Sequence, residues 1–301
     1  MTKHIGVIDI GTNSIRLMLA HISQEGKLAV HTKTIRTVRT GEGVNQTKRL
    51  KKEAIERTVN GVRELCSVAK TWNPAVEIMA FATSCVRDAQ NKDELIRQLK
   101  EQCGIDLDVL SGDEEAQAGF IGVIPPGGSG GIIDIGGGST EVIFGQNGAI
   151  EYEKSFDIGC VRALDMFGNK GDFTEVKSWA QGLFDEIDAC KAKNYHFYTI
   201  GGTATSIAAI CMGMEEYDAT LVQNYILTKS MVREKLELLW SLSLEQKRQL
   251  TGMEEKRADI IQFGVAILYI LMDYLQLEKV MVSDADNLEG YAKIKVAHKK
   301  D

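Results

Sequence analysis

The chain has 301 residues, enough for two domains of about 150 each. It is 44% hydrophobic and 26% charged, an ordinary globular composition, and no apolar run approaches the roughly 20 residues that span a bilayer. With 35 Lys and Arg against 42 Asp and Glu, the net charge of −7 argues against a nucleic-acid polymer as partner; a polyanionic ligand would need a local basic patch and a divalent cation.

The first residues enter a strand at once, so no signal peptide is expected and the protein reads as cytoplasmic, with no membrane partner. Six cysteines lie scattered without a C-x-x-C and read as reduced, mostly buried thiols. Five scattered histidines without an H-E-x-x-H make a histidine-based metal site unexpected.

Residues 4–10, 15–22 and 28–38 read as strands by their apolar and β-branched content. The first two are joined by Asp9-Ile10-Gly11-Thr12-Asn13-Ser14. A carboxylate at the end of a buried strand is costly unless it is paired, hydrogen-bonded or bound to a cation. The glycine turn after it offers backbone N–H groups that phosphate oxygens can approach. The plain alternative is a hairpin whose Asp caps its turn. Lys33 and Arg36 read as solvated edge charges, while Arg39, beside the Gly41-Glu42-Gly43 turn, is the better candidate to face a ligand.

A helical period covers 50–70, and Val76 to Ala82 reads as a buried strand. Arg87 follows that strand, at the end where open α/β sheets bind ligands, and could clamp a phosphate bidentately; a surface pair with Asp88 or Asp93 is the alternative. A helix at 91–103 and a strand at 106–110 precede Ser111-Gly112-Asp113-Glu114-Glu115-Ala116, a turn entering a helix. Helix capping accounts for one of its carboxylates and leaves a second, Glu114 or Glu115, to point elsewhere. Pro125 to Gly130 is the clearest breaker cluster, and places a domain boundary between 1–126 and 127–301, with the last helix able to pack back on the first lobe.

The second half then repeats the first. Asp134-Ile135-Gly136-Gly137-Gly138-Ser139 shares Asp-Ile-Gly-x-x-Ser with the first turn, and strands at 131–135, 140–145 and 149–156 follow the same plan. Self-similarity at half the chain length points to two duplicated lobes. Two such hairpins facing one another would form a cleft with an Asp and N–H donors on each wall. A helix is expected over 174–193 and a strand over 195–200, which runs into Gly201-Gly202-Thr203 and another helix. That turn is either a third anion site at a helix N-terminus or tight packing. Its spacing fits neither a Rossmann nor a P-loop fingerprint. Helices at 229–240, 243–250 and 256–277, a strand at 280–283 and a helix at 287–297 complete an α/β architecture.

Taken in order, Asp9-Ile-Gly-Thr-Asn-Ser14, Arg87-Asp88-Ala89, Ser111-Gly-x-Glu-Glu-Ala116, Asp134-Ile-Gly-Gly-Gly-Ser-Thr-Glu141 and Gly201-Gly-Thr203 resemble the exopolyphosphatase / guanosine pentaphosphate phosphatase (Ppx/GppA) family of the actin / sugar kinase / Hsp70 superfamily, over about residues 4–295. The resemblance implies two duplicated ribonuclease H-like (actin-like ATPase) lobes with an interdomain cleft, Mg²⁺ as cofactor and a homodimer. It implies phosphate binding by Gly11, Thr12, Asn13 and Ser14 and by Gly136, Gly137, Gly138 and Ser139. It implies metal association by Asp9, Asp134 and Glu141, a general base at Glu115 and a phosphate contact at Arg87. The family's Val-Ser-x-x-Gly-Leu-Arg-Glu-Gly segment is altered: Val282-Ser283-Asp284-Ala285-Asp286-Asn287-Leu288-Glu289-Gly290 lacks that Gly and that Arg. The sequence also stops where longer members add a helical HD-type domain, which makes shorter chains, or pppGpp, the more plausible substrates.

The function expected is exopolyphosphatase: Mg²⁺-dependent hydrolysis of the terminal phosphoanhydride of polyphosphate. The alternatives are hydrolysis of the 5′-terminal phosphate of pppGpp, a kinase of the same superfamily, or a non-catalytic nucleotide or alarmone sensor. Nothing in the sequence is diagnostic of guanine.

Overall fold

The computed structural model describes residues 3–169 and 171–297. The chain divides into two compact units, one reaching Ala118 and resuming at Leu288, the other Gly119–Asn287. The division thus falls inside the helix Gly112–Val123, ahead of the Pro125–Gly130 turn where the sequence places a boundary. The helix Asn287–Ala297, beyond its first residue, belongs to the first unit.

The first unit is built on strands β1 (Lys3–Ile10), β2 (Ser14–Ile22), β3 (Leu28–Thr37), β4 (Glu77–Ala82) and β5 (Leu107–Val109). Their order is β3-β2-β1-β4-β5, an antiparallel meander continued by two parallel strands. Parallel neighbours need a crossover, which the helix Lys52–Trp72 supplies between β3 and β4. Alternation along the strands serves both faces. Ile8, Ile10, Ile15, Leu17 and Leu19 pack with Ile55, Val59, Val62 and Leu65 of that helix. Ile5, Val7, Met18 and Phe81 face Leu288, Tyr291 and Ala292.

The second unit carries β6 (Gly130–Ile135), β7 (Thr140–Gln146), β8 (Ala149–Phe156), β9 (Phe197–Ile200), β10 (Ile226–Thr228) and β11 (Lys279–Val282). The order β10-β11-β9-β6-β7-β8 is the first sheet again, with β10 added antiparallel at the edge. The copy extends to fine detail. Asp9 stands opposite Arg16 across β1 and β2, and Asp134 opposite Glu141 across β6 and β7. A bulge follows at Leu19/Ala20 in one unit and at Phe144/Gly145 in the other, at the same distance from the aspartate. The core gathers Ile133, Phe144, Ile207, Phe263, Ile267 and Leu271, the last three from the buried helix Ile261–Tyr274.

Some elements differ from those expected. The helix expected over 174–193 is two, Phe173–Phe184 and Ala189–Ala192, because Asp188 caps a new start by accepting the Lys191 N–H. The long apolar helix begins only at Ile261, after a 3₁₀ turn at Glu255–Arg257. A helix Cys160–Phe167 stands where none was read. All six cysteines are free; Cys66, Cys85 and Cys160 are buried, whereas Cys190 is exposed. Among the described residues, no helix is long and apolar enough to cross a membrane.

Candidate active site

The two glycine turns close in the same way. Gly11 N–H donates to the Ser14 carbonyl, and Gly136 N–H to the Ser139 carbonyl, each at 3.0 Å. The next N–H groups, of Thr12 and Asn13 in one turn and of Gly137 and Gly138 in the other, donate to no described residue. Thr12 and Asn13 are only 6% exposed. Buried N–H groups are rarely left without an acceptor, and successive N–H groups in a turn make a concavity for an anion.

Each turn is held from behind through its carbonyls. The carbonyl of Asn13 accepts from Val38 and Arg39, and that of Thr12 from Gly41. Arg39 adopts a left-handed backbone (φ 52°), a strained state for a non-glycine residue. In the second unit the carbonyls of Gly136 and Gly137 accept the N–H groups that open the helix Cys160–Phe167, and Arg162 Nε donates to the Gly138 carbonyl at 2.7 Å. Gly159 makes this approach possible, since a Cβ there would lie 2.5 Å from the Gly137 carbonyl. Gly159→Ala must therefore push the second turn out of place. Phosphate release is expected to fall roughly 10²-fold, with far-UV circular dichroism unchanged. Full activity in a folded variant would remove the turn from the site.

The carboxylates beside the turns are treated differently in the two units. Arg16 donates to Asp9 Oδ2 through Nε (3.0 Å) and Nη2 (2.5 Å), so a guanidinium neutralises it. At the equivalent place in the second unit stands Glu141, cross-strand from Asp134. Asp134 Oδ2 accepts from Asn287 Nδ2 (2.8 Å) and Glu141 Oε1 from Ser155 Oγ (2.6 Å), both uncharged donors. Facing like charges are destabilising unless a cation joins them, and oxygen donors suit a hard one. Among the described residues no three His, Cys, Asp or Glu side chains are grouped to hold a metal. One or two carboxylates completed by phosphate oxygens is the usual arrangement for Mg²⁺.

The first unit also holds a carboxylate–arginine pair. Ser111 caps the helix Gly112–Val123: Glu114 N–H donates to its Oγ, and its own N–H donates to Glu114 Oε2 at 2.8 Å. That capping box engages Glu114 at the surface and assigns the second carboxylate to Glu115, which is 6% exposed. Arg87, at the end of the turn Ser84–Arg87 after β4, donates through Nη1 to Glu115 Oε2 (3.0 Å) and to the Leu110 carbonyl (3.1 Å). Asp88 lies farther, 3.8 Å from Arg87 Nε. The helix is seated by close packing, for a Cβ at Gly290 would fall 1.7 Å from the Ala118 carbonyl.

Residues 20–292 match the model of the Ppx/GppA phosphatase family. The chain belongs to that family.

The Ppx/GppA phosphatases are hydrolases of phosphoanhydride bonds. This chain is 33% identical over 301 residues to the bifunctional 3-dehydroquinate synthase/phosphatase of Fusobacterium nucleatum, covering 94% of itself and 45% of that protein. It is 30% identical over 314 residues to exopolyphosphatase 2 of Mycobacterium tuberculosis, covering 96% of itself and 97% of the relative. The solved Aquifex aeolicus member of the Ppx/GppA family superposes with a TM-score of 0.80 at 26% identity, over 100% of both chains. Both units thus have the actin-like fold of the Ppx/GppA proteins.

Two features of this Ppx/GppA chain went unread in the sequence. Arg257, 8% exposed, lies with its guanidinium over Gly202, where a Cβ would fall 1.8 Å from Nη2, and its Nε pairs with Glu254 at 3.1 Å. Gly201 (φ +77°) leaves room for Asp134, whose Oδ1 would lie 2.6 Å from a Cβ there. Close packing therefore accounts for both glycines of the Gly201-Gly202-Thr203 turn, and Thr203 Oγ1 donates to the Ile135 carbonyl. The second is the burial of polar side chains in the altered Val282–Gly290 segment: Asp286, Asn287 and Glu289 are buried, and Glu289 pairs with Lys33 at 2.8 Å.

Proposed function

We propose that the protein is an exopolyphosphatase that hydrolyses the terminal phosphoanhydride bond of inorganic polyphosphate with Mg²⁺ as cofactor. The observation that carries this reading is the pair of duplicated turns with unengaged N–H groups, one of them on the unit that also holds the Glu115–Arg87 pair. The match along nearly the full length of the mycobacterial exopolyphosphatase 2 supports polyphosphate as substrate.

Asp134 and Glu141 are the residues that would hold Mg²⁺, since their oxygens fit a hard cation, whereas Asp9, expected in the same role, has Arg16 as its counter-charge. When bound, Mg²⁺ neutralises phosphate oxygens and so favours attack on phosphorus. The N–H groups of Thr12, Asn13, Gly137 and Gly138 donate to phosphate oxygens, with Ser14 and Ser139 closing the two turns. Arg87 orients Glu115 and offers its guanidinium to a phosphate oxygen. Glu115 takes a proton from the attacking water as the new P–O bond forms; the bond to the bridging oxygen breaks in line, and the shortened chain departs. A homodimer, implied by the family resemblance, and a cytoplasmic location, supported by the free thiols, belong to the same reading.

The test is phosphate release with Mg²⁺ from a defined long-chain polyphosphate and from pppGpp, side by side, with an EDTA control. Faster release from polyphosphate, abolished by EDTA, is expected. Faster release from pppGpp would move the substrate to the alarmone, and a phosphorylated acceptor in place of free phosphate would make the protein a kinase. No release from either would remove the hydrolase reading.

A further inference from the structure

Asn287 opens the helix Asn287–Ala297 and is 4% exposed. Its Nδ2 donates to Asp134 Oδ2 at 2.8 Å. Its Oδ1 has no hydrogen-bond partner among the described residues and lies against Gly119, where a Cβ would fall 2.8 Å away. A buried amide with one end unsatisfied is a poor packing element, because an apolar side chain of similar size fills the volume without desolvating a polar atom. Packing therefore does not explain an asparagine here.

The hydrogen bond to Asp134 does. Asn287 holds Oδ2, and Gly201 leaves the space in which Oδ1 sits. The carboxylate is thus held at Oδ2 within the second unit, with Glu141 opposite it on β7.

We propose that Asn287 is a positioning residue that holds the Asp134 carboxylate in the orientation a divalent cation requires. The inference rests on the reading of Asp134 as a cation-associated residue. Donors that orient a metal-binding side chain typically carry 10–100-fold of metal affinity.

The experiment is Mn²⁺ binding to the full chain, followed by electron paramagnetic resonance of the free ion, for the wild type, Asn287→Leu, Asn287→Ala and Asp134→Asn. The leucine keeps the volume and removes the donor, and the alanine covers the case in which leucine does not fold. The Mn²⁺ dissociation constant should rise about tenfold in both Asn287 variants. Half-saturating Mg²⁺ for phosphate release should rise in step, with kcat at saturating Mg²⁺ little changed. A lower melting temperature with unchanged Mn²⁺ affinity would show a merely structural role and overturn the inference alone. Wild-type binding that Asp134→Asn leaves intact would overturn the cation reading of Asp134 and this inference with it.

Discussion

Glu115→Gln should lower turnover about 10²–10⁴-fold, the usual contribution of a general base, and leave substrate binding within about threefold of wild type. The glutamine has nearly the same shape, and its carbonyl oxygen can still accept from Arg87 Nη1, which lies 3.0 Å from Glu115 Oε2. It cannot accept a proton from water. The backbone under it is held independently, because the Glu115 N–H donates to the Ser111 carbonyl and the capping box fixes that turn. Steady-state turnover and equilibrium polyphosphate binding, measured on the same preparation, separate the two effects. Binding that falls as far as turnover would take the general-base role away from Glu115.

Arg87→Ala is expected to cost roughly 10²–10³-fold in kcat/KM, the scale of losing one preorganised donor at a developing charge. Two losses are combined in it. The phosphate oxygens lose a guanidinium, and Glu115, buried at 6% exposure, loses the group that orients it. The double variant with Glu115→Gln should therefore lose much less than the product of the single effects, since residues joined by an ion pair are not independent. Arg87→Lys should recover only part of the loss, because an ammonium in the place of Nη1 can meet Glu115 and the Leu110 carbonyl but lacks the guanidinium's further planar donors for a phosphate oxygen. Strictly multiplicative effects in the double variant would show that the arginine and the glutamate act separately.

What the sequence made legible was local. The aspartate, the glycines and the strands around them sit within a few residues of each other, and a repeat at half the chain length identified the duplication before any pairing was visible. Glu115 was legible only to within one position. The choice over Glu114 is made by the Ser111 cap, whose geometry a sequence leaves open. Arg257 and Asn287 were not legible, because each acquires its meaning from a partner far along the chain, Gly202 and Asp134. Arg257 did leave one signal: a cation in the turn before a long apolar helix opposes the helix dipole, and such a residue calls for another reason to be there. Gly201-Gly202-Thr203, open between anion turn and packing, took its glycines from what presses against them. The break after Phe184 and the three-residue β10 fall below what periodicity detects.

The contrast between Arg16 and Glu141 also reaches the folding equilibrium of the two units. In the first unit the positive charge beside the aspartate is covalently part of the chain and is present at any solution composition. In the second, the proposed reading has a cation from solution join the two carboxylates, so the folded state of that unit would be linked to the activity of a free ion. A ligand at a hundredfold its dissociation constant adds about 2.7 kcal/mol to the stability of the state that binds it. The two halves of one duplicated design would then melt by different rules, one indifferent to chelators and the other titrated by them.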